Sequence, residues 1–395
     1  MLIAGGLEHN TYLLAIDLVR ITFPMMIFTS LAFSFVGFLQ SYGEFNIPAG
    51  ISGLSNLIVI IFLLFFNEKL GVYGLSYCMV FAWLIQLLIQ IPFAKKFGYK
   101  FNFFIDFKDP NLKRVFILAL PIFISTAVIP INMFVITNFA SKLGEGNIAT
   151  LDYAYKIYLV IYGIFTYAIG NIIFPELSRN SGEGYEEQFN SLVTKGLRLI
   201  SFLLIPMTVG MIIYSKDIIS ILYERGSFTA EATINTGSAL AFFAIGIIGA
   251  GIVEIMNKSF YAKKNTKVPL FVGIVMIALN YVLCLALSNT ALTFKGLALS
   301  FALVSIANGI VLLTILNFKY SKVITKDLLI YILKIGLATV CMGVLVYAID
   351  FALQDYLVGT MIKNIIRLAI GGGVGVGFYF ALAHLLKLNA FKENQ

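Results

Sequence analysis

Apolar runs recur from one end of the chain to the other, with short polar stretches between them. A helix needs about 20 predominantly apolar residues to cross a bilayer. Runs of that kind at roughly 12–40, 48–67, 73–94, 113–141, 147–176, 190–214, 230–261, 268–288, 294–317, 326–352 and 361–386 predict eleven spans. The loops between them are too short to hold a soluble domain. The first run, Leu13 to Leu39, is too long for the apolar segment of a cleavable signal peptide. Pro24, Pro121, Pro130 and Pro206 fall inside spans, where a missing backbone N–H predicts kinks. The pattern predicts an all-α, polytopic membrane protein.

Composition closes off the soluble alternative. The chain is 59% hydrophobic and 12% charged, with a mean hydropathy of +0.92. A soluble domain cannot hide that much apolar surface. A net charge of +8 would suit nucleic acid in a soluble protein. In a membrane protein, basic loops set orientation instead, so no nucleic-acid partner is expected. Basic residues concentrate in "AKKFGYK…FKDPNLKR", at Arg179, Lys195 and Arg198, in "KKNTK", in "FKYSKVITK", and at Lys387 and Lys392. The alternate loops hold only Lys69, Lys142, Lys216, Arg225, Lys295 and Lys363. The rich set therefore belongs in the cytoplasm with the C-terminus, and an odd number of spans puts the N-terminus outside. Cys78, Cys284 and Cys341 lie in apolar runs and read as small core residues. His9 and His384 are isolated, so no metal site or cofactor is expected.

The chain also repeats itself. In "FNIPAGISGLSN…EKLGVYGLSY" and "NTKVPLFVGIVMIALN…FKGLALSF", Pro48 matches Pro269, Gly74-Leu75 matches Gly296-Leu297, and Asn56 lies near Asn280. Residues 12–94 thus resemble residues 230–317. Repeats in one orientation are a transporter plan with substrate between the halves. Three spans (113–214) precede the second repeat, and the first has no counterpart to them. By symmetry, about 100 residues are expected upstream, absent through truncation or loss. The expected organisation is a partial N-terminal lobe (1–94), a cytoplasmic linker (95–112), a complete six-helix lobe (113–317) and a C-terminal helical hairpin with its tail (318–395).

Two motifs carry a resemblance. "NIIFPELSRNSGEGYEEQF", with Phe174-Pro175, and "LYERGSFTAEAT", with Arg225, Gly226 and Phe228, are similar to those of the MurJ (MviN) family of lipid II flippases. "LVRITFP" and "SFYAKKNTKVP" fit the same family, and the resemblance covers almost the whole chain. It implies membership of the multidrug/oligosaccharidyl-lipid/polysaccharide exporter superfamily. Members have fourteen helices in two six-helix lobes plus a C-terminal pair, and this chain would hold helices four to fourteen. The implied activity is not enzymatic. It is movement of undecaprenyl-diphosphate-linked peptidoglycan precursor across the bacterial cytoplasmic membrane. The implied partners are that lipid-linked oligosaccharide, membrane lipids and the cell-wall synthesis machinery.

A diphosphate headgroup is multiply anionic, and hydrocarbon excludes it, so a flippase needs a cation-lined cavity. The family's basic residue after a Tyr-Ala pair corresponds to Lys156 in "DYAYK", one turn after Asp152. Two readings stand side by side: substrate binding by Lys156 with Asp152 as its resting partner, or an i,i+4 pair that neutralises itself. The family's other cavity arginines lie on helices before this chain's first span. Some members place an aspartate, proposed to help hold a coupling cation, where this chain has Ile136. Asn280 and Ser300 are a candidate polar remnant of that site, with no acid beside them.

Other charges read more locally. Glu254 and Lys258 are expected to pair near the cytoplasmic end of the seventh span, and Asp17 with Arg20 near the outer end of the first. Lys334 and Arg367 could meet a headgroup or snorkel to the surface. "GGGVGVG" (371–377) lies within a span and predicts close helix packing, not a nucleotide loop. "SKDIISILYERGSF" predicts a short amphipathic segment at the outer interface. Other functional classes remain open: a drug or ion antiporter or polysaccharide exporter of the same superfamily, a polyprenyl-phosphate enzyme, and a non-transporting remnant. The cavity charge argues against a cation exporter, and the scattered acids argue against an enzyme.

Overall fold

The computed structural model describes residues 6, 9–100, 109–320, 322–354 and 361–388. Every regular element among them is a helix. In chain order these are α1 (His9–Thr22), α2 (Met25–Ser41), α3 (Asn46–Phe65), α4 (Asn67–Lys96), α5 (Pro110–Ser141), α6 (Asn147–Ile161), a π-helical segment (Tyr162–Tyr167), α7 (Ala168–Arg179), α8 (Glu186–Ile213), α9 (Ser215–Tyr223), α10 (Ala230–Ala262), α11 (Lys267–Ser288), α12 (Phe294–Lys319), α13 (Lys326–Gln354) and α14 (Met361–Leu385).

Among the described residues, nine helices are long and apolar enough to cross a membrane, and α1 with α2 makes a tenth span. The expected run at 12–40 is thus not one straight helix. It bends by 40° next to Pro24, which has no N–H to give the preceding turn. The run at 113–141 is a single helix, α5, whose described apolar stretch is the shorter Ala127–Ser141. The expected break between 67 and 73 is a kink inside α4, where Gly71 takes φ 55° and ψ −151°, a backbone state open to glycine. The span at 147–176 is α6 and α7 joined through the π-helical turn, which nothing in the apolar pattern signals. Pro206 stays within an unbroken α8. Much of the expected linker at 95–112 lies outside the described residues, as does Lys392.

The helices form two compact units, one built on α1–α4 and one on α5–α14. In the first, α4 packs on α2 and α3. Ala32, Phe35, Leu87 and Ala94 are its buried core, closed by the Tyr99 ring at 4.9 Å from Phe35 and 5.2 Å from Phe38. Ser55 donates to Gln86 Oε1 at 2.8 Å, so the buried amide oxygen finds a partner inside the helix pair.

In the second unit α10 is the axis, packed by α6, α8, α9 and α12. Lipid tails are as apolar as leucine, so close packing holds such helices together rather than the hydrophobic effect. A Cβ on Gly246 would sit 2.8 Å from Ala302 Cα, and one on Gly249 would sit 2.5 Å from the Ile306 nitrogen. Those two glycines let α10 and α12 touch backbone to backbone. The hairpin α13–α14 leans on α8 through Phe202, Tyr331, Ile335, Met342 and Tyr379. The Tyr379 hydroxyl donates to the Phe202 carbonyl at 2.7 Å.

Candidate functional site

Lys156 lies in α6, where an apolar stretch predicts no charge. Its Nζ is 2.7 Å from Asp152 Oδ2, and the two side chains are 56% and 53% exposed. The pair is therefore not enclosed by the chain's other helices. Both residues fall on the face of α6 opposite Leu151, Ala154, Tyr155 and Tyr158, which are buried. The i,i+4 spacing makes the pair, and the buried face turns it outward.

The Arg225 motif comes to the same place. Lys156 Nζ lies 5.3 Å from the centroid of the Tyr153 ring. Tyr153 packs on Tyr223 at 4.8 Å and on Phe228 at 5.6 Å. The loop from α9 to α10 is shaped by its own motif. Gly226 has φ 60°, a left-handed turn that favours glycine. Thr229 caps α10 by accepting from Ala232 N at 3.2 Å, and Thr233 donates to Glu224 Oε2 at 3.0 Å. Arg225 is exposed and donates to the Leu222 carbonyl at 2.9 Å.

Asn280 and Ser300 are also brought together, both fully buried. Asn280 Oδ1 accepts from Ser300 Oγ at 3.2 Å and from Cys284 Sγ at 3.6 Å. Asn280 Nδ2 donates to the Asn132 carbonyl at 3.2 Å. The single Ser300 hydroxyl proton has a second acceptor in the Leu297 carbonyl at 2.7 Å, and Cys284 Sγ also lies 3.0 Å from Ser300 Oγ. Ile136, fully buried, supplies no charge. Among the described residues no three His, Cys, Asp or Glu side chains gather as metal ligands.

Glu254 and Lys258 form the expected pair at 3.5 Å. Tyr162, at the start of the π-helical turn, donates to Glu254 Oε2 at 3.1 Å. Lys258 donates to Asn171 Oδ1 at 3.1 Å and lies 5.3 Å from the Phe174 ring. Phe174 of α7 therefore borders a polar junction between α7 and α10, and Pro175 follows it within the same helix. Asp17 and Arg20 form a local, exposed pair at 3.6 Å.

A family model described as lipid II flippase MurJ matches residues 1–367. The chain belongs to the MurJ family. It is 27% identical to a probable lipid II flippase MurJ of Buchnera aphidicola subsp. Acyrthosiphon pisum, over 97% of this chain and 76% of that protein. It is 28% identical to a probable lipid II flippase MurJ of Rickettsia prowazekii, over 96% of this chain and 75% of that protein. A solved lipid II flippase MurJ in an inward closed conformation superposes with a TM-score of 0.81 at 26% identity, covering 98% of this chain and 78% of that one.

This MurJ chain holds one charged cluster that sequence reasoning missed. Arg367 of α14 neither snorkels nor stands free. Its guanidinium pairs with Asp217 of α9 and, through Nε at 3.0 Å, with Asp350 of α13. The three side chains are 12%, 12% and 20% exposed. Burial pushes the Asp217 carboxyl up, while Arg367 beside it pulls it down. Asn364, one turn before Arg367, donates to Ser220 Oγ at 3.4 Å. The short amphipathic segment expected at the outer interface is the helix α9, and these contacts tie it to the hairpin. Lys334 turns to the Leu386 carbonyl at 3.5 Å. The glycine run packs closely at two positions, where Cβ atoms on Gly371 and Gly375 would collide with Tyr214 and Val346.

Proposed function

We propose that this chain is a lipid II flippase of the bacterial cytoplasmic membrane, moving an undecaprenyl-diphosphate-linked precursor between leaflets. Lys156 is the observation that carries the reading: a cation set inside an apolar span, half exposed, with a partner that an arriving anion can replace. An arriving diphosphate replaces Asp152 as the partner of Lys156, so the exchange leaves no bare cation at low dielectric. Lysine meets phosphate as a point charge with rotatable donors. Helices α1–α4 serve as a partial lobe, α5–α12 as the six-helix lobe, and α13–α14 as the pair along which the prenyl tail can remain in lipid.

The test is complementation. Expressed in bacteria depleted of their own flippase, the chain is expected to restore growth and to raise lipid II at the outer leaflet. Correctly inserted protein that restores neither would end the flippase reading.

The basic loops further support a cytoplasmic C-terminus. In a version without native cysteines, a cysteine at position 216 should react with an impermeant thiol reagent in intact cells, and one at position 100 should react only after lysis. Equal labelling of both in intact cells would contradict that orientation.

A further inference from the structure

The Glu-Arg-Gly-x-Phe-Thr loop has no chemistry assigned to it by the motif alone. Part of what it does is local: Glu224 ties to Thr233, Gly226 turns the chain and Thr229 caps α10. None of that requires Arg225 or an aromatic residue at 228. Both nevertheless line one open hollow of about 380 Å³ with Tyr153, Leu222, Tyr223 and Ser227, within the ~300–1,000 Å³ of small-ligand sites. Lys156 is not part of that lining, but its Nζ lies 5.3 Å from the centroid of the Tyr153 ring that is.

We propose that this hollow is a subsite for a sugar diphosphate, in which Arg225 and Lys156 hold the diphosphate and the Tyr153, Tyr223 and Phe228 rings pack against the sugar. The assignment deepens the flippase reading and rests on it. Arg225 gives one N–H to the Leu222 carbonyl and keeps the rest of a five-donor fork suited to phosphate oxygens. The three rings are mutually packed at 4.8, 5.6 and 5.9 Å, forming a stiff aromatic wall; Arg225 lines the hollow with them, and Lys156 stands against Tyr153. Charge for the diphosphate and an aromatic face for a pyranose are what such a ligand needs, and α6 and the α9–α10 loop each supply part of both. Asp152 holds Lys156 at 2.7 Å; a bound diphosphate takes over that contact.

Binding to the full chain in nanodiscs tests this, with lipid II, sugar-free undecaprenyl diphosphate and soluble UDP-N-acetylglucosamine as probes. Arg225→Ala is expected to weaken lipid II binding about tenfold, the weight of one charge-assisted contact, and Arg225→Lys to recover part of it. Tyr153→Leu should weaken lipid II binding while leaving undecaprenyl diphosphate unchanged, and Tyr153→Phe should bind both as the unaltered chain does. A purely structural loop would not separate the two lipids. UDP-N-acetylglucosamine bound with the same Arg225 dependence supports the subsite and names a soluble sugar nucleotide as its source; lipid II binding alone names the membrane lipid. If Arg225→Ala and Tyr153→Leu bind lipid II normally while Lys156→Ala does not, the subsite is wrong and the flippase reading survives. If the unaltered chain binds none of the three probes, both fall.

Discussion

Arg367→Ala is expected to detach α14 from α9 and to lower the stability of the hairpin's attachment by on the order of 3–5 kcal/mol, the cost of breaking a buried ion pair from one side. The substitution leaves Asp217 and Asp350 facing the same space with no counter-charge. Two carboxylates that close resist joint ionisation. Exposed pairs on the same chain, such as Asp17 with Arg20, should show almost no effect when broken. Hydrogen exchange in detergent or nanodiscs is the measurement. Amides of Ser215–Tyr223 and of the first turns of α14 should lose protection, while those of α10 and α12 keep theirs. Replacing all three partners together, Arg367→Met with Asp217→Asn and Asp350→Asn, should recover most of the loss, because no bare charge remains. Unchanged exchange in Arg367→Ala would show that the cluster does not hold the hairpin.

Lys156→Glu is expected to abolish complementation of flippase-depleted cells at normal expression, and Lys156→Ala to reduce it strongly. Lys156→Arg should keep function, since the diphosphate needs a positive charge there and arginine supplies one. A charge-assisted contact is worth roughly 1.5–3 kcal/mol, so Ala alone should cost about 10–150-fold in lipid II affinity. Glu adds repulsion, and it stands beside Asp152 one turn earlier. Asp152→Asn separates the alternatives. If the pair exists only to neutralise itself, losing either partner should do similar harm. If Lys156 binds substrate, Asp152→Asn should be mild or even tighten binding, because the lysine loses its resting partner. Growth supported by Lys156→Glu would remove the residue from the site.

The apolar pattern by itself determined the class of protein and the placement of nearly every span, because crossing hydrocarbon is a demand each segment meets alone: length, lack of charge and internally bonded backbone. The motifs around Phe174-Pro175 and Arg225-Gly226-Phe228 likewise carried the family, since short-range order is enough to recognise them. The Asp152–Lys156 and Glu254–Lys258 pairs were legible for the same reason: both partners sit one turn apart on one helix. Only the tertiary structure decided what depends on distant partners. Arg367 meets Asp217 across 150 residues, and the choice between a snorkelling arginine and a buried one lies in which helices happen to lie beside it. The π-helical turn that brings Tyr162 to Glu254 leaves no mark on an apolar count. Ser300 of α12 and Cys284 close around Asn280 of α11, a meeting of two helices that no single stretch announces. The Arg225 loop arrives beside Lys156 through three rings from two separate segments. Local sequence fixes what a helix is and which face it offers; the packing of one helix against another decides what that face meets.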